Sequence, residues 1–181
     1  MGTKKSEILI AYSTTDGHTL EICGYLKHCI EQQGHRVTLL SVETGINENI
    51  DLKPFDKIVL GASIRYGKHA KEVYEFIRRN ERILESKPNA FFSVNVVARK
   101  PEKNTPETNP YLKKFLKQIT WQPMELAVFA GRIDYQKYRF RDRQMIRLIM
   151  WMTKGPTDPT TNIEFTNWNQ VEDFGLTISA M

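Results

Sequence analysis

The chain has 181 residues, of which 40% are hydrophobic, which is enough for one packed core and too much for a disordered chain. Its formal net charge of +5 and isoelectric point of about 9.2 leave anionic lipid, nucleic acid and anionic small molecules as partner classes. Two cysteines, no apolar run of about 18 residues and no signal-peptide pattern at the start favour a cytoplasmic protein without a disulfide framework or a membrane span.

Short apolar strands and longer helices alternate along the chain. In chain order, the patterns predict strands over 7–12, 36–41, 57–62, 90–97 and 126–130, and helices over 19–33, 69–84, 110–118, 138–152 and 168–179. The strands are nearly continuous apolar runs, as expected where helices cover both faces of a parallel sheet. The sequence therefore predicts an α/β protein with a three-layer, doubly wound, five-stranded parallel sheet and a single domain over 1–181. The polar, proline-containing stretch 99–110 is predicted to be a long loop.

A polar loop joins the first predicted strand to the first predicted helix. It consists of Ser13, Thr14, Thr15, Asp16, Gly17, His18 and Thr19. Open α/β sheets bind ligands at the carboxyl ends of their strands, and a helix N-terminus offers free N–H groups to a phosphate. The loop contains neither G-x-x-x-x-G-K-[ST] nor G-x-G-x-x-G, so it favours a monophosphate over a nucleoside triphosphate or a dinucleotide. The alternative is a serine- and threonine-rich turn that only caps the helix.

The same loop resembles the phosphate signature of the flavodoxins. The pattern Tyr12-x-Thr14-x-x-Gly17-x-Thr19 is similar to the flavodoxin arrangement of an aromatic residue followed by [ST]-x-x-G-x-T. The resemblance implies a flavodoxin-like fold in which this loop holds FMN non-covalently by its phosphate.

The flavodoxin resemblance also implies that two further loops hold the flavin ring. The first consists of Ser63, Ile64, Arg65, Tyr66 and Gly67, and the second of Ser93, Val94, Asn95, Val96, Val97, Ala98 and Arg99. Tyr66 has a ring that can stack on the flavin, and Arg65 or Arg99 has a charge that can stabilise the anionic reduced flavin. The alternative for each residue alone is ordinary packing or capping at the end of an element.

Positive charge concentrates in a segment after the fifth predicted strand. Residues 135–160 are predicted to form an inserted, basic amphipathic segment near that strand, and at about 100° per residue its apolar side chains and arginines fall on opposite faces. The apolar face consists of Tyr138, Met145, Leu148, Ile149 and Met152, and the arginine stripe of Arg139, Arg143 and Arg147. Such helices are typical of membrane interfaces, with an aromatic residue near the headgroups. Contact with a membrane or a quinone is therefore predicted for Arg139, Arg143, Arg147, Leu148 and Trp151.

Two other interpretations of this helix remain. It could pack on the sheet with solvated arginines, or it could contribute to a nucleic-acid footprint. The sequence contains no RNA- or DNA-binding motif, so no nucleic acid is expected as a partner.

Longer motifs extend the resemblance over nearly the whole chain. They are Gly61-Ala62-Ser63-Ile64-Arg65-Tyr66-Gly67, then Ser93-Val94-Asn95-x-Val97-Ala98-Arg99-Lys100-Pro101-Glu102-Lys103-x-Thr105-Pro106, and an arginine-rich segment ending in Leu148-Ile149-Met150. Together they are similar to the menaquinone-dependent protoporphyrinogen IX dehydrogenases, a flavodoxin-like FMN family. The resemblance implies oxidation of protoporphyrinogen IX to protoporphyrin IX in haem biosynthesis, with electrons passed to a respiratory quinone.

This family resemblance implies a site in which FMN rather than a catalytic side chain carries the chemistry. Arg99, Lys100 and Lys103 lie in the polar loop beside the predicted flavin site and are expected to pair with the substrate's propionates. The implied partners are menaquinone or ubiquinone and the inner face of the cytoplasmic membrane, with peripheral association. The histidines and cysteines lack the spacing of a metal site.

Three other functions use the same scaffold. They are a one-electron carrier flavodoxin, an NAD(P)H:quinone reductase and an interaction protein without flavin, and fold alone does not choose among them. The oligomeric state is open, with a homo-oligomer among the options.

Overall fold

The computed structural model describes residues 5–181, so residues 1–4, on which the expected absence of a signal peptide partly rests, lie outside it. The strands are β1 (Glu7–Ser13), β2 (Arg36–Ser41), β3 (Lys57–Ser63), β4 (Asn89–Asn95), β5 (Glu125–Ala130), β6 (Arg132–Asp134) and β7 (Asn162–Glu164). The helices are α1 (His18–Gln32), α2 (Val42–Asn47), α3 (Lys71–Glu85), α4 (Pro110–Leu116), α5 (Phe140–Met152) and α6 (Trp168–Ala180). Short 3₁₀ helices cover Val96–Arg99, Pro101–Lys103 and Tyr135–Lys137.

The central sheet is parallel throughout, with strand order β2-β1-β3-β4-β5. This confirms the predicted doubly wound, five-stranded α/β architecture. The order reverses at β1 and β3, where the chain crosses from one side of the first strand to the other, and such a switch point is where open sheets form a ligand crevice. The register places Ser13 beside Ala62 and Ser63 beside Val94, so the loops after three strands emerge together.

Two apolar layers cover the sheet because the strand side chains alternate between its faces. On one face, α3 and α4 pack on Leu9, Leu60 and Phe91. On the other face, α1 and α6 pack on Ile10 and Phe92. Nearly every side chain of β1, β3 and β4 is buried, which explains why these strands read as continuous apolar runs.

Close packing within the sheet requires glycine at position 61. Gly61 is paired with Phe92 in the register of β3 and β4, and a Cβ atom added at position 61 would overlap the Phe92 ring. That ring is fully buried and packs on Phe129 and Phe174, with ring centroids 5.4 and 6.2 Å away. Phe92 therefore uses the space that a side chain at position 61 would need.

The segment between β5 and α6 forms a small third core beside the sheet. Its strands β6 and β7 pair antiparallel, with Ile133 opposite Ile163. Ile133, Tyr135, Tyr138 and Met150 form a buried cluster of their own. The inserted segment predicted over 135–160 therefore contains the helix α5, which packs mainly on neighbouring parts of the same segment. That this segment and the sheet form a single domain stays a prediction.

The orientation of α5 differs from the predicted one. The helix begins after Tyr138, and its half-buried side includes Arg143 and Arg147. The Arg147 Nε donates to the Thr157 carbonyl oxygen at 2.8 Å, so this arginine is tied to the return segment and is not part of a solvated stripe. The outer side carries the exposed apolar side chains of Phe140, Met145, Leu148, Trp151 and Met152, together with the polar Arg141 and Gln144.

No helix within residues 5–181 combines the length and the apolar character needed to cross a bilayer.

Candidate functional site

A cleft opens at the carboxyl edge of the sheet, between the loops that follow β1, β3 and β4. The predicted site residues that line this cleft are Thr14, Thr15, Asp16, His18, Thr19, Ser63, Ile64, Arg65, Tyr66, Gly67, Val94, Asn95, Val96 and Val97. The structure therefore brings the three predicted loops together at one place.

The loop after β1 presents unpartnered donors at the start of α1. Gly17 caps the helix with φ 85°, a left-handed conformation that favours glycine, and its N–H donates to Thr14 Oγ1 at 3.0 Å. The Thr19 hydroxyl is buried and has no hydrogen-bond partner in the structure. A buried polar atom without a partner carries a free-energy cost that a ligand can remove. Together with the free N–H groups of the first turn, this hydroxyl suits a phosphate group.

The loop after β3 crosses the cleft and contacts both neighbouring segments. The Ile64 N–H donates to the Val94 carbonyl oxygen at 2.9 Å, which ties the loop to β4. The Arg65 guanidinium lies 2.5 Å from an Asp16 carboxylate oxygen and 5.2 Å from the centroid of the Tyr138 ring. Arg65 thus joins the phosphate loop to the segment that holds α5.

A second wall of the cleft comes from residues that the sequence analysis did not assign to it. They are Tyr111, Gly131, Arg132, Tyr138, Ile146, Ile149 and Met150. Gly131 and Arg132 directly follow β5, so the rule that ligands bind at the carboxyl ends of strands could have identified them. The side chains from α5 make this wall apolar.

Arg132 is held in a charged cluster at the edge of the cleft. Its guanidinium donates to both carboxylate oxygens of Glu21, at 3.1 and 2.8 Å, and to Glu164 at 2.9 Å. Burial opposes ionisation of Glu21, but the bonds from Arg132 and His18 outweigh it and hold the pKa of Glu21 below its usual value. The cluster therefore fastens α1 to β6 and β7 beside the phosphate loop.

Several predicted residues do not line the cleft. They are Ser13, Gly17, Ser93, Ala98, Arg99, Lys100 and Lys103. The Arg99 guanidinium donates to the Val96 carbonyl oxygen at 3.1 Å and to the Thr153 carbonyl oxygen at 3.2 Å. These bonds use the Arg99 guanidinium within the protein, at Val96 and at the end of α5. The expected pairing of Arg99 with a propionate therefore does not agree with the structure.

A buried polar network lies at the base of the two loops that follow β3 and β4. His69 Nδ1 donates to the Ser63 carbonyl oxygen at 3.1 Å, so its neutral Nε2 can accept from the Ser93 hydroxyl at 3.5 Å. Asn95 donates to the same hydroxyl at 3.3 Å and accepts from the side chain of Asn109 at 3.1 Å. The network links the ends of β3 and β4 to the first turn of α4.

Burial of His69 should make the stability of the protein depend on pH. Desolvation lowers the pKa of His69 from 6.5 to about 4, and the bond to Ser63 only partly opposes it. Below about pH 6.5 the unfolded chain takes up a proton that the folded protein does not. The free energy of unfolding should therefore fall by roughly 3 kcal/mol through this residue as the pH drops from 7 to 4.

Urea unfolding of the wild-type protein and of His69→Gln at pH 7 and pH 4.5 measures this effect. The difference between the two proteins should shrink at the lower pH, because glutamine does not titrate there. His28→Gln, at an exposed position of α1, is the control and should keep the wild-type pH dependence. An unchanged difference between wild type and His69→Gln would show that the folded protein accepts the proton as readily as the unfolded chain.

Within residues 5–181, no group of three or more histidine, cysteine, aspartate or glutamate side chains is placed to hold a metal ion.

Comparison with known proteins identifies similar chains. A family model described as a flavodoxin domain matches residues 9–160. The curated protein "Protoporphyrinogen IX dehydrogenase [quinone]" of Escherichia coli K12 is 43% identical over 171 residues, which cover 94% of this chain and 93% of that protein. A Leishmania major protein of the same name is 38% identical, over 100% of this chain and 78% of that protein. The solved structure of oxidised flavodoxin 1 from Bacillus cereus has a TM-score of 0.54 at 14% identity, over 97% and 98% of the two chains, and supports the fold.

Proposed function

The chain belongs to the flavodoxin-domain family and, within it, to the quinone-dependent protoporphyrinogen IX dehydrogenases, and from this membership we propose its function. It is an FMN-dependent oxidoreductase that oxidises protoporphyrinogen IX to protoporphyrin IX in haem biosynthesis and passes the electrons to a quinone. The observation that carries this function is 43% identity over 94% of the chain to a curated relative of that name.

The phosphate loop fits FMN. The Thr19 hydroxyl, buried and without a partner, is available to a phosphate oxygen, and Gly17 has open space where a Cβ would point. Asp16 adds a negative charge to the loop, but Arg65 pairs with it. When bound, FMN supplies the two-electron chemistry of the reaction. Thr14, Thr15 and Thr19 would hold its phosphate, and the loops 63–67 and 94–97 would enclose its ring.

The apolar wall of the cleft supports a large, flat substrate. Ile146, Ile149 and Met150 line the cleft from α5 and give it an apolar surface for such a substrate. Lys100 and Lys103 are half-buried, and neither forms a salt bridge in the described part of the chain. Neither lysine lines the cleft, but both follow Val96 and Val97, which do. In this proposal their ammonium groups pair with the propionates, whereas Arg99 positions the end of α5 through Thr153.

Porphyrin fluorescence tests the proposed function directly. FMN-loaded protein, protoporphyrinogen IX and a soluble quinone are mixed without oxygen, and controls omit the quinone or the protein. Porphyrin fluorescence should rise only when the protein and the quinone are both present. A protein that has bound flavin but gives no rise above the controls would contradict the function, and rapid reduction of its flavin by NADPH would instead identify a nicotinamide-linked reductase.

We also propose that the outer side of α5 binds the inner face of the cytoplasmic membrane, where quinones reside. Trp151 and Phe140 are 71% and 72% exposed, and the exposed Arg139 and Arg141 place positive charge on either side of Phe140. This combination of exposed apolar side chains and arginines is typical of helices that lie in the interface of an anionic bilayer.

Removing two of these apolar side chains should weaken membrane binding. In sedimentation with phosphatidylglycerol vesicles, Leu148→Ala with Trp151→Ala should lower the partition coefficient by at least about tenfold, because each large apolar side chain contributes roughly 1.5–3 kcal/mol on burial. A matched control, Met124→Ala with Leu176→Ala, removes two exposed apolar side chains elsewhere and should leave binding unchanged. Equal losses for both pairs, or binding equal to that of phosphatidylcholine vesicles, would refute a specific role for α5.

A further inference from the structure

The turn that carries Tyr66 holds this residue in an unfavourable backbone conformation at the mouth of the cleft. Arg65 and Lys68 exchange backbone hydrogen bonds of 3.0 and 3.3 Å, and the two residues between them, Tyr66 and Gly67, have φ of 52° and 77°. Turns of this type favour asparagine or glycine at the first position. A left-handed conformation costs other residues about 1–2 kcal/mol, and such strain is concentrated at functional sites.

The strained turn directs the Tyr66 phenol to a carboxylate of α5. Its hydroxyl donates to Asp142 Oδ1 in the first turn of that helix. Tyr66 lines the cleft and is 51% exposed, whereas Asp142 is half-buried and does not line the cleft. The phenol therefore stands between the interior of the cleft and the carboxylate.

The charged groups near this pair leave the Asp142 carboxylate without a salt bridge within residues 5–181. Of the cations around the pair, Arg65 is paired with Asp16 and lies over the Tyr138 ring, and Arg141 and Arg143 adjoin Asp142 in sequence. The bond to Asp142 raises the pKa of Tyr66 above its usual value, so the phenol stays protonated at neutral pH and can pass a proton on.

The proposed reaction requires such an acceptor. Each two-electron oxidation of a porphyrinogen removes one hydrogen from a bridging carbon as hydride and one further hydrogen as a proton, in the first step from a pyrrole nitrogen. FMN, when bound, would take up the hydride and supply its electron pair to the quinone, whereas the proton needs a base within reach of the cleft.

We propose that Tyr66 and Asp142 form the proton relay for this oxidation, an inference that rests on the proposed function. The substrate N–H bond breaks and its proton moves to the Tyr66 oxygen, while the Tyr66 O–H bond breaks and its proton moves to an Asp142 carboxylate oxygen. The electron pair of the N–H bond stays with the substrate and forms the new double bond to carbon as the hydride departs. Asp142, at the outer side of the cleft, then releases the proton to solvent.

Loss of either relay residue should slow turnover without weakening cofactor binding. Asp142→Asn and Tyr66→Phe should each lower kcat for porphyrinogen by about a hundredfold, within the range usual for a lost general base. FMN affinity, measured by quenching of flavin fluorescence, should stay within threefold of wild type for Asp142→Asn. Asp173→Asn removes an exposed carboxylate from α6 and is the matched control.

Chemical rescue separates a proton acceptor from a residue that only positions the loop. Formate should restore turnover of Asp142→Ala in proportion to its concentration, because a small carboxylate can enter the space left by the side chain.

Each outcome decides the inference. A wild-type protein without porphyrinogen turnover would overturn the proposed function, whereas an active wild type with equally active Asp142→Asn and Tyr66→Phe would overturn the relay alone. Slow variants with weakened FMN binding and no formate rescue would also overturn it. A further test does not depend on turnover: Asp142→Asn should lower the pH at which Tyr66 ionises. Ionisation of Tyr66 is followed in the ultraviolet spectrum as the difference between each protein and the same protein with Tyr66→Phe added. An unchanged midpoint would exclude the bond to Asp142.

Discussion

Replacing Gly61 with alanine should lower the free energy of unfolding by about 3 kcal/mol, at the upper end of the cost of overpacking a core. The added Cβ would overlap the Phe92 ring. Phe92 cannot move aside cheaply, because it is fully buried between Phe129 and Phe174. Urea unfolding of the two proteins at the same FMN concentration measures the change.

Two further variants test the cause of this loss. Gly24→Ala changes a glycine in α1 where a Cβ meets nothing within 4 Å, and it should stabilise the protein by about 0.5–1 kcal/mol. Adding Phe92→Leu to Gly61→Ala should recover part of the lost stability, because the smaller side chain leaves room for the Cβ. If Gly61→Ala costs less than about 1 kcal/mol, the sheet is less tightly packed there than the structure indicates.

Thr19→Val should change cofactor affinity and stability of the free protein in opposite directions. The hydroxyl is buried without a partner, so removing it should raise the free energy of unfolding of the FMN-free protein by about 1 kcal/mol. The same change should weaken FMN binding by about 10- to 100-fold, since a hydrogen bond to a charged phosphate contributes roughly 1.5–3 kcal/mol.

Flavin fluorescence titration and urea unfolding of the FMN-free protein give the two readouts. Thr38→Val makes the same chemical change on the exposed side of β2 and should leave FMN affinity unchanged. A Thr19→Val protein that binds FMN as tightly as wild type would exclude this hydroxyl from the phosphate site, even if its stability rises as expected.

The central sheet and the phosphate loop could be predicted because each depends on a local pattern. Buried parallel strands read as apolar runs, and the loop after β1 carries its own signature. The helix α2 was missed because its six residues have no apolar period, and its visible signal is the cap in which Ser41 accepts from the Thr44 N–H at 3.1 Å. The strands β6 and β7 have three residues each, too few for a period.

The orientation of α5 and the position of Arg99 could not be predicted, because both depend on distant segments. Periodicity indicates which side chains share a face of a helix, but not which face turns inward. The inward face of α5 is set by the third core around Tyr135 and by the Thr157 carbonyl that Arg147 binds. Arg99 likewise turns to Thr153, a residue 54 positions away in sequence, and no local pattern contains that partner.

The antiparallel pairing of β6 with β7 has a consequence for how this scaffold can diversify. The strands leave and rejoin the core side by side, with Asp134 opposite Asn162, so the chain between them begins and ends at nearly the same point. Doubling the length of such a closed excursion costs only about 0.6 kcal/mol of loop-closure entropy and places no tension on the sheet. Evolution can therefore lengthen, shorten or exchange the outer part of the excursion at little cost to the sheet, as long as the residues that line the cleft and meet Arg65 are kept. That makes the outer part a module for matching one electron-transfer core to different membranes.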